Sequence, residues 1–352
     1  MGTFTELPML CVEEEIIAKT SRNVFIDYDG VKNLAREVIR FMLWNYNHDM
    51  LSKVGNNYLR HLLRFYPDND DYRCADWLFV LNTLNFSLFL PKSVKQWTVN
   101  GFTGYWALCS AMRRAIIDEG KPLWNPDYYM NISVSDMEQI FRGDDGSCIP
   151  FMTDRLRILH DIGKILVNKY NGRFAYCIVM CNYNVMLLML LLTSEFQCYR
   201  DEGIYNRKKV CLLTKAKILI NELSCFFPIN MTLRSKVSTL FIDYRAPQVL
   251  VHFKALRYSE ALKKRFEKNN QPISQGSPED LELRSCSIVT IRMVREEVEK
   301  MFESVAEDIP NLKAISHSIS ILVDNFVFHY RHEWNKELMD NVPLHNIITV
   351  HY

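Results

Sequence analysis

The chain has 352 residues, of which 48% are hydrophobic and 24% are charged, with 12 glycines and 12 prolines. This composition excludes a disordered or fibrous protein and is typical of a folded chain that buries a large core. Because 42 Lys and Arg nearly balance 41 Asp and Glu, the chain also lacks the overall positive charge with which proteins hold a long polyanion.

Helix is the main predicted element along the whole chain. Apolar residues at spacings of three and four predict helices over residues 34–43, 105–120, 154–172, 215–227, 248–266 and 277–305. Ser135 and Glu138 form the pattern of a capping box, and Ser277 followed by Pro278 is typical of a helix start. Strands are predicted only at 23–30 and 346–352. We therefore expect a mainly α, compact helical fold with few short strands.

The domain prediction is a tail over residues 1–14 and a single helical unit over residues 15–352, with two lobes around a cleft as an alternative arrangement. The polar, turn-rich breaks between helices, such as RGDDGSC and KNNQPISQGSPED, are too short to be interdomain linkers.

Ten cysteines run from Cys11 to Cys286 without a C-x-x-C pair, which favours free thiols in a reducing compartment over a zinc site. The common nucleotide-binding, zinc-protease and hydrolase motifs are missing from the sequence. The most apolar run, VMLLMLLL at Val185–Leu192, is too short to span a bilayer, and the first residues do not form a signal peptide. We expect a protein of the cytosol or nucleus that uses no metal, no cofactor and no membrane.

The segment LFIDYRAPQVL, Leu240–Leu250, places Asp243 and Arg245 between apolar residues. A carboxylate in such surroundings costs free energy unless it is paired, so it is either half of an ion pair or a group held ready for chemistry. The residues alone favour an ion pair between Asp243 and Arg245, because structural pairs of this kind outnumber catalytic carboxylates.

Six strings, taken together and in order, resemble the queuosine salvage family. They are NTLNFSLF from Asn82, GYWALCSAMRRA from Gly104, YRDE from Tyr199, FIDYRAPQVL from Phe241, ELRSCS from Glu282 and VPLH from Val342. The resemblance runs from about Ser21 to the end of the chain. It implies a mostly helical fold distantly similar to DNA glycosylases, and hydrolysis of queuosine 5′-monophosphate to queuine and ribose 5-phosphate, which releases the base for tRNA modification.

The same resemblance implies that Asp243 is the catalytic carboxylate and that Phe241 lies against the base. Cleavage of an N-glycosidic bond develops positive charge on the sugar, and a nearby carboxylate either stabilises that charge or traps the sugar covalently. Both possibilities stay open for Asp243. With the resemblance, the catalytic role is favoured over the structural ion pair.

Further base-binding residues are implied at the C-terminal helix of the family, whose pattern is D-Y-x-L-W-D-Y. Here the string is DNFVFHY, so Asp324 is retained, Asn325 replaces the tyrosine and His329 replaces the second aspartate. A histidine from the N-terminal region also contacts the base in the family, and His61 is the candidate here.

The substrate's 5′-phosphate requires cations, and NRKKV and TKAKIL bring several together in sequence. We predict that Lys208 and Lys215 bind the phosphate. A solvated lysine face is the alternative for these residues.

Two alternatives to the function remain. One is a glycosylase for another nucleotide, and the other is a catalytically inactive helical protein that binds queuine. The balanced charge disfavours direct binding of a polynucleotide, so the expected partner is a small nucleotide. The oligomeric state is left open.

Overall fold

The structure is a computed structural model, and it describes residues 12–47, 65, 73–88, 95–226, 245–269, 273–306, 319–343 and 347–351. Helices dominate these residues. In chain order they are α1 Val12–Thr20, α2 Tyr28–Asn47, α3 Cys74–Leu84, α4 Gly104–Arg113, α5 Pro126–Tyr129, α6 Val134–Ile140, α7 Met152–Lys169, α8 Phe174–Met180, α9 Val185–Glu195, α10 Thr214–Phe226, α11 Ala246–His252, α12 Glu260–Asn269, α13 Pro278–Ala306, α14 Ile319–Glu333 and α15 Asn335–Asn341.

The strands of the described residues are short and form antiparallel pairs. They are β1 Val24–Ile26 with β6 Leu256–Tyr258, β2 Thr98–Val99 with β3 Phe102–Thr103, and β4 Glu202–Tyr205 with β5 Lys208–Cys211. The prediction of a mainly α fold with few short strands is confirmed. The distant similarity to DNA glycosylases stays a prediction.

The chain divides into two compact units, and each unit is built from three segments that are not consecutive in the sequence. The first comprises Met1–Arg60, Glu202–Leu212 and Ser235–Ile348, and the second comprises His61–Asp201, Leu213–Arg234 and Thr349–Tyr352. Among the described residues, the chain segment predicted as a tail over 1–14 already enters helix at Val12.

In the first unit the long helix α13 packs against α1, α2, α11 and α14. Its start follows the prediction, since Ser277 Oγ accepts from the Asp280 backbone N–H at 3.3 Å and Pro278 is the first helical residue. The predicted apolar face is buried at Ile288, Ile291, Val294 and Val298. Removal of this face from water stabilises the unit and sets the position of α14.

The prediction of one continuous helix over residues 248–266 is wrong. Helix α11 ends at His252, Lys254 adopts a left-handed backbone with φ of 59°, and β6 follows it to pair with β1. The chain passes so close to Gly30 that a Cβ there would lie 2.1 Å from the Lys254 carbonyl oxygen. Only glycine permits this approach, and it fixes the end of α11 beside the start of α2.

In the second unit α3 is the central helix, and every residue from Cys74 to Leu84 is buried. It contacts α4, α7, α8 and α10. A helix that is apolar on all sides needs such surroundings. Its acidic residue, Asp76, accepts from the backbone N–H groups of Phe174 at 2.6 Å and Ala175 at 3.2 Å, so the start of α8 is held against it.

Two smaller predictions are also wrong. The capping box of α6 is formed by Ser133 and Asp136, two residues before the predicted cap, because the Asp136 backbone N–H donates to Ser133 Oγ at 3.1 Å. The predicted strand at 346–352 is reduced, within the described residues 347–351, to a single bridge between Ile347 and Ile273. No described helix is long and apolar enough to cross a bilayer.

Candidate functional site

Three of the predicted site residues, Asp243, Phe241 and His61, lie outside the described residues, and their roles stay predictions. The described chain resumes at Arg245, whose Nε donates to Gln248 Oε1 at 3.1 Å. Helix α11 begins at the next residue, so the position of Asp243 is three residues before a helix whose packing is known.

Helix α11 packs against α14, the helix that carries the other predicted acidic residue. The Tyr330 hydroxyl lies 2.8 Å from His252 Nε2, and the Phe253 ring lies 4.8 Å from the Tyr330 ring and 6.0 Å from the Phe326 ring. The two segments that the family resemblance singled out therefore belong to one helix bundle in the first unit.

Asp324 is buried in this bundle and paired with Arg295 of α13. The Arg295 Nη2 nitrogen donates to both carboxylate oxygens, at 2.5 and 2.7 Å, and the two side chains are only 3% and 7% exposed. A buried pair of this geometry fixes the orientation of both side chains. The Asp324 carboxylate is thereby held in a defined position in the bundle.

His329 and Asn325 lie on the same helix as Asp324. His329 is half-buried, and the description of Asn325 is limited to its helical backbone. Because Asp324 and His329 are five residues apart, they are separated by about 140° around the helix axis. If Asp324 and His329 both contact one base, as predicted, their side chains must reach it from different sides of the helix.

Aromatic rings occur at intervals of four residues along α14 and just beyond its end, at Phe326, Tyr330 and Trp334. Phe326 meets Phe41 of α2 edge to face at 5.5 Å, and the Tyr330 and Trp334 rings stack at 5.9 Å. Trp334 is 44% exposed, so the row runs from the core to the surface. Such rings offer stacking faces to a planar heterocycle.

The second unit contains a buried carboxyl group that sequence reasoning missed. Glu222 of α10 is 1% exposed, and its oxygens accept from Asn82 Nδ2 at 2.5 Å and from the Tyr105 hydroxyl at 2.9 Å. Burial raises the pKa of Glu222 to about 7, although both hydrogen bonds lower it. Carboxyl groups with strongly raised pKa values are typical of functional sites.

The sequence contained a signal for two of the residues around Glu222. Asn82 and Tyr105 both belong to strings that carried the family resemblance, NTLNFSLF and GYWALCSAMRRA. Similarly, Tyr330 occupies the last position of the family's C-terminal pattern. Arg295 had no such signal, because its role depends on the packing of α13 against α14.

Lys215, predicted to bind phosphate, is 2% exposed in the second unit. Its ammonium group donates to the Thr83 carbonyl at 3.1 Å and to the Val350 carbonyl, and it lies 4.8 Å from the Phe86 ring centroid. Burial lowers the pKa of Lys215 to about 8. In this arrangement the lysine joins α3 and the segment at Val350 to α10.

Lys208 lies in a contrasting environment on the β4–β5 hairpin of the first unit. It is exposed, and it follows a two-residue turn in which Asn206 and Arg207 both have positive φ. Its neighbour Lys209 pairs with Glu202 at 2.8 Å, whereas Lys208 has no ion-pair partner among the described residues.

A metal centre is not evident in the described part of the chain, where no three His, Cys, Asp or Glu side chains come together as a ligand set. The eight cysteines whose side chains the structure describes form no disulfide with one another. The candidate functional groups described above, taken unit by unit, are carboxylates, aromatic rings and hydrogen-bond donors.

Comparison with known proteins places these residues in context. Residues 65–352 match the model of the queuosine salvage protein family. The chain is 29% identical to the queuosine 5′-phosphate N-glycosylase/hydrolase of Mus musculus and 30% identical to that of Bos taurus, in both cases over 96% of this chain and 96–97% of the relative. The protein of the same name from Nematostella vectensis is 30% identical over 96% of each chain. The chain is thus a member of the queuosine salvage protein family.

Proposed function

We propose that this chain hydrolyses the N-glycosidic bond of queuosine 5′-monophosphate and releases queuine and ribose 5-phosphate. The observation that carries the proposal is the family membership, with relatives of that activity aligned over 96% of the chain. We place the reaction in the cytosol or nucleus, where the released base is available for tRNA modification and free thiols persist.

The reaction breaks the bond between the anomeric carbon of the ribose and the nitrogen of the base. The electron pair of that bond leaves with the base, positive charge develops on the sugar, and water adds to the anomeric carbon. One proton of the water is lost and the base nitrogen gains one, so atoms and charge balance. Asp243 stabilises the cationic sugar in this proposal.

The leaving base needs help of a particular kind. Queuine is a 7-deazaguanine, so it has no basic N7 that could be protonated, and assistance must come through hydrogen bonds at its other polar edges. Asp324, whose carboxylate is fixed by Arg295, is proposed to accept from the N–H groups of the base and so to orient it. His329, Asn325 and His61 are proposed as further base contacts.

A planar base also needs stacking surfaces. Phe241 is proposed for this role from the family pattern. The row of rings on α14, with Tyr330 held by His252 at 2.8 Å, supports the placement of an aromatic ligand beside this helix.

For the 5′-phosphate, the exposure of Lys208 and its lack of an ion-pair partner in the described residues support a role as phosphate ligand. Lys215 already donates to two backbone carbonyls. A phosphate contact by Lys215 would require exchange of one of these bonds or use of the third ammonium N–H. Lys208 is therefore the first residue to test.

The direct experiment is incubation of the protein with queuosine 5′-monophosphate, followed by mass spectrometry of free queuine and ribose 5-phosphate. Stoichiometric appearance of both products supports the proposal. A panel of other purine and deazapurine nucleotides tests the alternative glycosylase, which would turn over one of them and leave queuosine 5′-monophosphate intact. Calorimetric binding of queuine without any turnover would instead identify an inactive binding protein.

A further inference from the structure

The segment from α8 to α9 combines two properties that are unusual for a solvent-facing surface. Its 21 residues from Phe174 to Ser194 contain no Asp, Glu, Lys, Arg or His. Helix α9, VMLLMLLLTSE, is apolar on all sides apart from its last turn. Helices of this composition are normally buried completely.

Large apolar side chains of this segment are nevertheless exposed in the second unit. Five large apolar side chains are between 39% and 57% exposed: Tyr176, Val179, Met180, Tyr183 and Leu187. In α8 they occur at spacings of three and four, which places them on one helix face. The turn to α9 is closed by hydrogen bonds from the Asn182 N–H to the Val179 carbonyl at 2.8 Å and from the Tyr183 N–H to the Ile178 carbonyl at 3.1 Å.

The size of this surface, which we call the α8–α9 face, matches that of a protein interface. At the observed exposures the five side chains present roughly 400 to 500 Å², in the middle of the range of roughly 300 to 600 Å² that the largest apolar patch on a monomer covers. A standard interface takes about 800 Å² from each partner, of which about 57–65% is apolar, or roughly 450 to 520 Å². The α8–α9 face therefore supplies the apolar part of one such interface.

Three basic residues that border the face already make ion pairs or hydrogen bonds within the chain. Lys169 bonds to Glu195 at 2.7 Å, and Arg173 bonds to Asp76 at 2.7 Å. Arg200 donates to the Thr193 and Ser194 carbonyls at the end of α9. A charged partner, such as an acidic peptide, would find little here that it could neutralise.

We propose that the α8–α9 face binds the same face of a second copy of this chain, and that the protein is a homodimer. An uncharged apolar surface is complementary to itself, because two-fold symmetry brings like residues together without repulsion between charges. A membrane surface is a poorer match, since interfacial helices carry Lys and Arg on their polar side and α9 has neither.

The test is sedimentation equilibrium of the full chain from low to high micromolar concentration. The wild-type mass should rise from that of one chain, 41.5 kDa, toward twice that value. Leu187→Lys and Met180→Lys each place a charge in the centre of the proposed contact and should weaken dimerisation by about 100-fold or more. Ile16→Lys is the matched control, because Ile16 is a 54% exposed isoleucine of the first unit, and this variant should dimerise like the wild type.

A second measurement uses only the wild-type protein and so does not depend on the folding of a variant. Hydrogen–deuterium exchange at low and high concentration should show protection of peptides from residues 174–194 that grows with the dimer population. A wild-type protein that stays monomeric throughout, including one that binds lipid vesicles instead, overturns the proposal. A dimer whose concentration-dependent protection lies elsewhere, or that survives both lysine substitutions, also overturns it.

Discussion

The replacement of Glu222 by glutamine tests whether a carboxyl group in the core of the second unit is held uncharged. Glu222 is 1% exposed, and its hydrogen-bond donors are the neutral groups of Asn82 and Tyr105. In Glu222→Gln, the new Oε1 can accept from Asn82 Nδ2, which keeps its bond to the Leu78 carbonyl at 3.0 Å, and the new Nε2 can donate to the Tyr105 hydroxyl oxygen. The variant therefore fills the site without a charge.

The contribution of Glu222 to the free energy of unfolding follows from the difference between its folded and unfolded pKa values. Burial raises the pKa of Glu222 to about 7 from its ordinary value of 4.5. The folded state therefore holds the proton more tightly than the unfolded state. The resulting stability is fully present below pH 4.5 and is lost as the pH rises to about 7, with a total change of about 3 kcal/mol. Above pH 7 this contribution is constant.

The assay is urea denaturation of both proteins at intervals from pH 5 to pH 8. Because glutamine does not titrate, the stability of Glu222→Gln relative to the wild type should increase by about 2.5 kcal/mol between pH 5 and pH 8, since part of the total change lies below pH 5. The titration of Lys215, whose pKa is lowered to about 8, is common to both proteins and cancels. Glu260→Gln, at an exposed carboxylate with a lowered pKa, should show no such increase. If the stabilities of the wild type and Glu222→Gln changed in parallel with pH, the raised pKa of Glu222 would be contradicted.

The other predictions concern the first unit. Arg295→Met should destabilise the protein by about 3–5 kcal/mol in denaturant unfolding, because the buried Asp324 carboxylate loses the charged partner that donates to both of its oxygens. Lys263→Met, which removes an exposed ion pair with Glu260, should lower the free energy of unfolding by less than about 1 kcal/mol. Equal destabilisation by Arg295→Met and Lys263→Met would contradict the idea that burial makes the Arg295 pair more important. Wild-type activity should fall in acid if a neutral His329 accepts from the base, because a protonated imidazole has no acceptor nitrogen. His329→Asp should then keep activity at pH 6, and its complete inactivity would mean that α14 contacts the substrate differently. Lys208→Ala should reduce kcat/KM for queuosine 5′-monophosphate by about tenfold or more but leave the rate on unphosphorylated queuosine unchanged. Equal reductions on both substrates would remove Lys208 from the phosphate site.

The sequence predicted best where local signals agree with the final packing. Helix α13 begins at Pro278 as expected, because the cap and the apolar face at Ile288 to Val298 both belong to the helix itself. The predicted helix over 248–266 failed for the opposite reason. Its interruption depends on β1, more than 200 residues earlier, and on the close approach of Gly30 to Lys254, which no local spacing reveals.

The same distinction applies to the candidate site. The family pattern located Asp324 on a helix, but its pairing with Arg295 arises only when α13 and α14 pack together. Glu222 lay inside a correctly predicted helix, where its spacing did not distinguish it from a solvated carboxylate. Its raised pKa is produced by α3 and α4, which exclude water and supply two hydrogen-bond donors. Burial of this kind belongs to the tertiary structure.

The central claim is that Asp243 carries out hydrolysis of queuosine 5′-monophosphate in this chain. The most direct measurement compares the rate of queuine release by the wild type and by Asp243→Asn, with the folded fraction of each checked by thermal unfolding. We expect the wild type to release queuine and kcat of the variant to fall by about 100-fold or more, while substrate affinity stays within about tenfold. Near wild-type release by folded Asp243→Asn, or no release by the wild type, would contradict it.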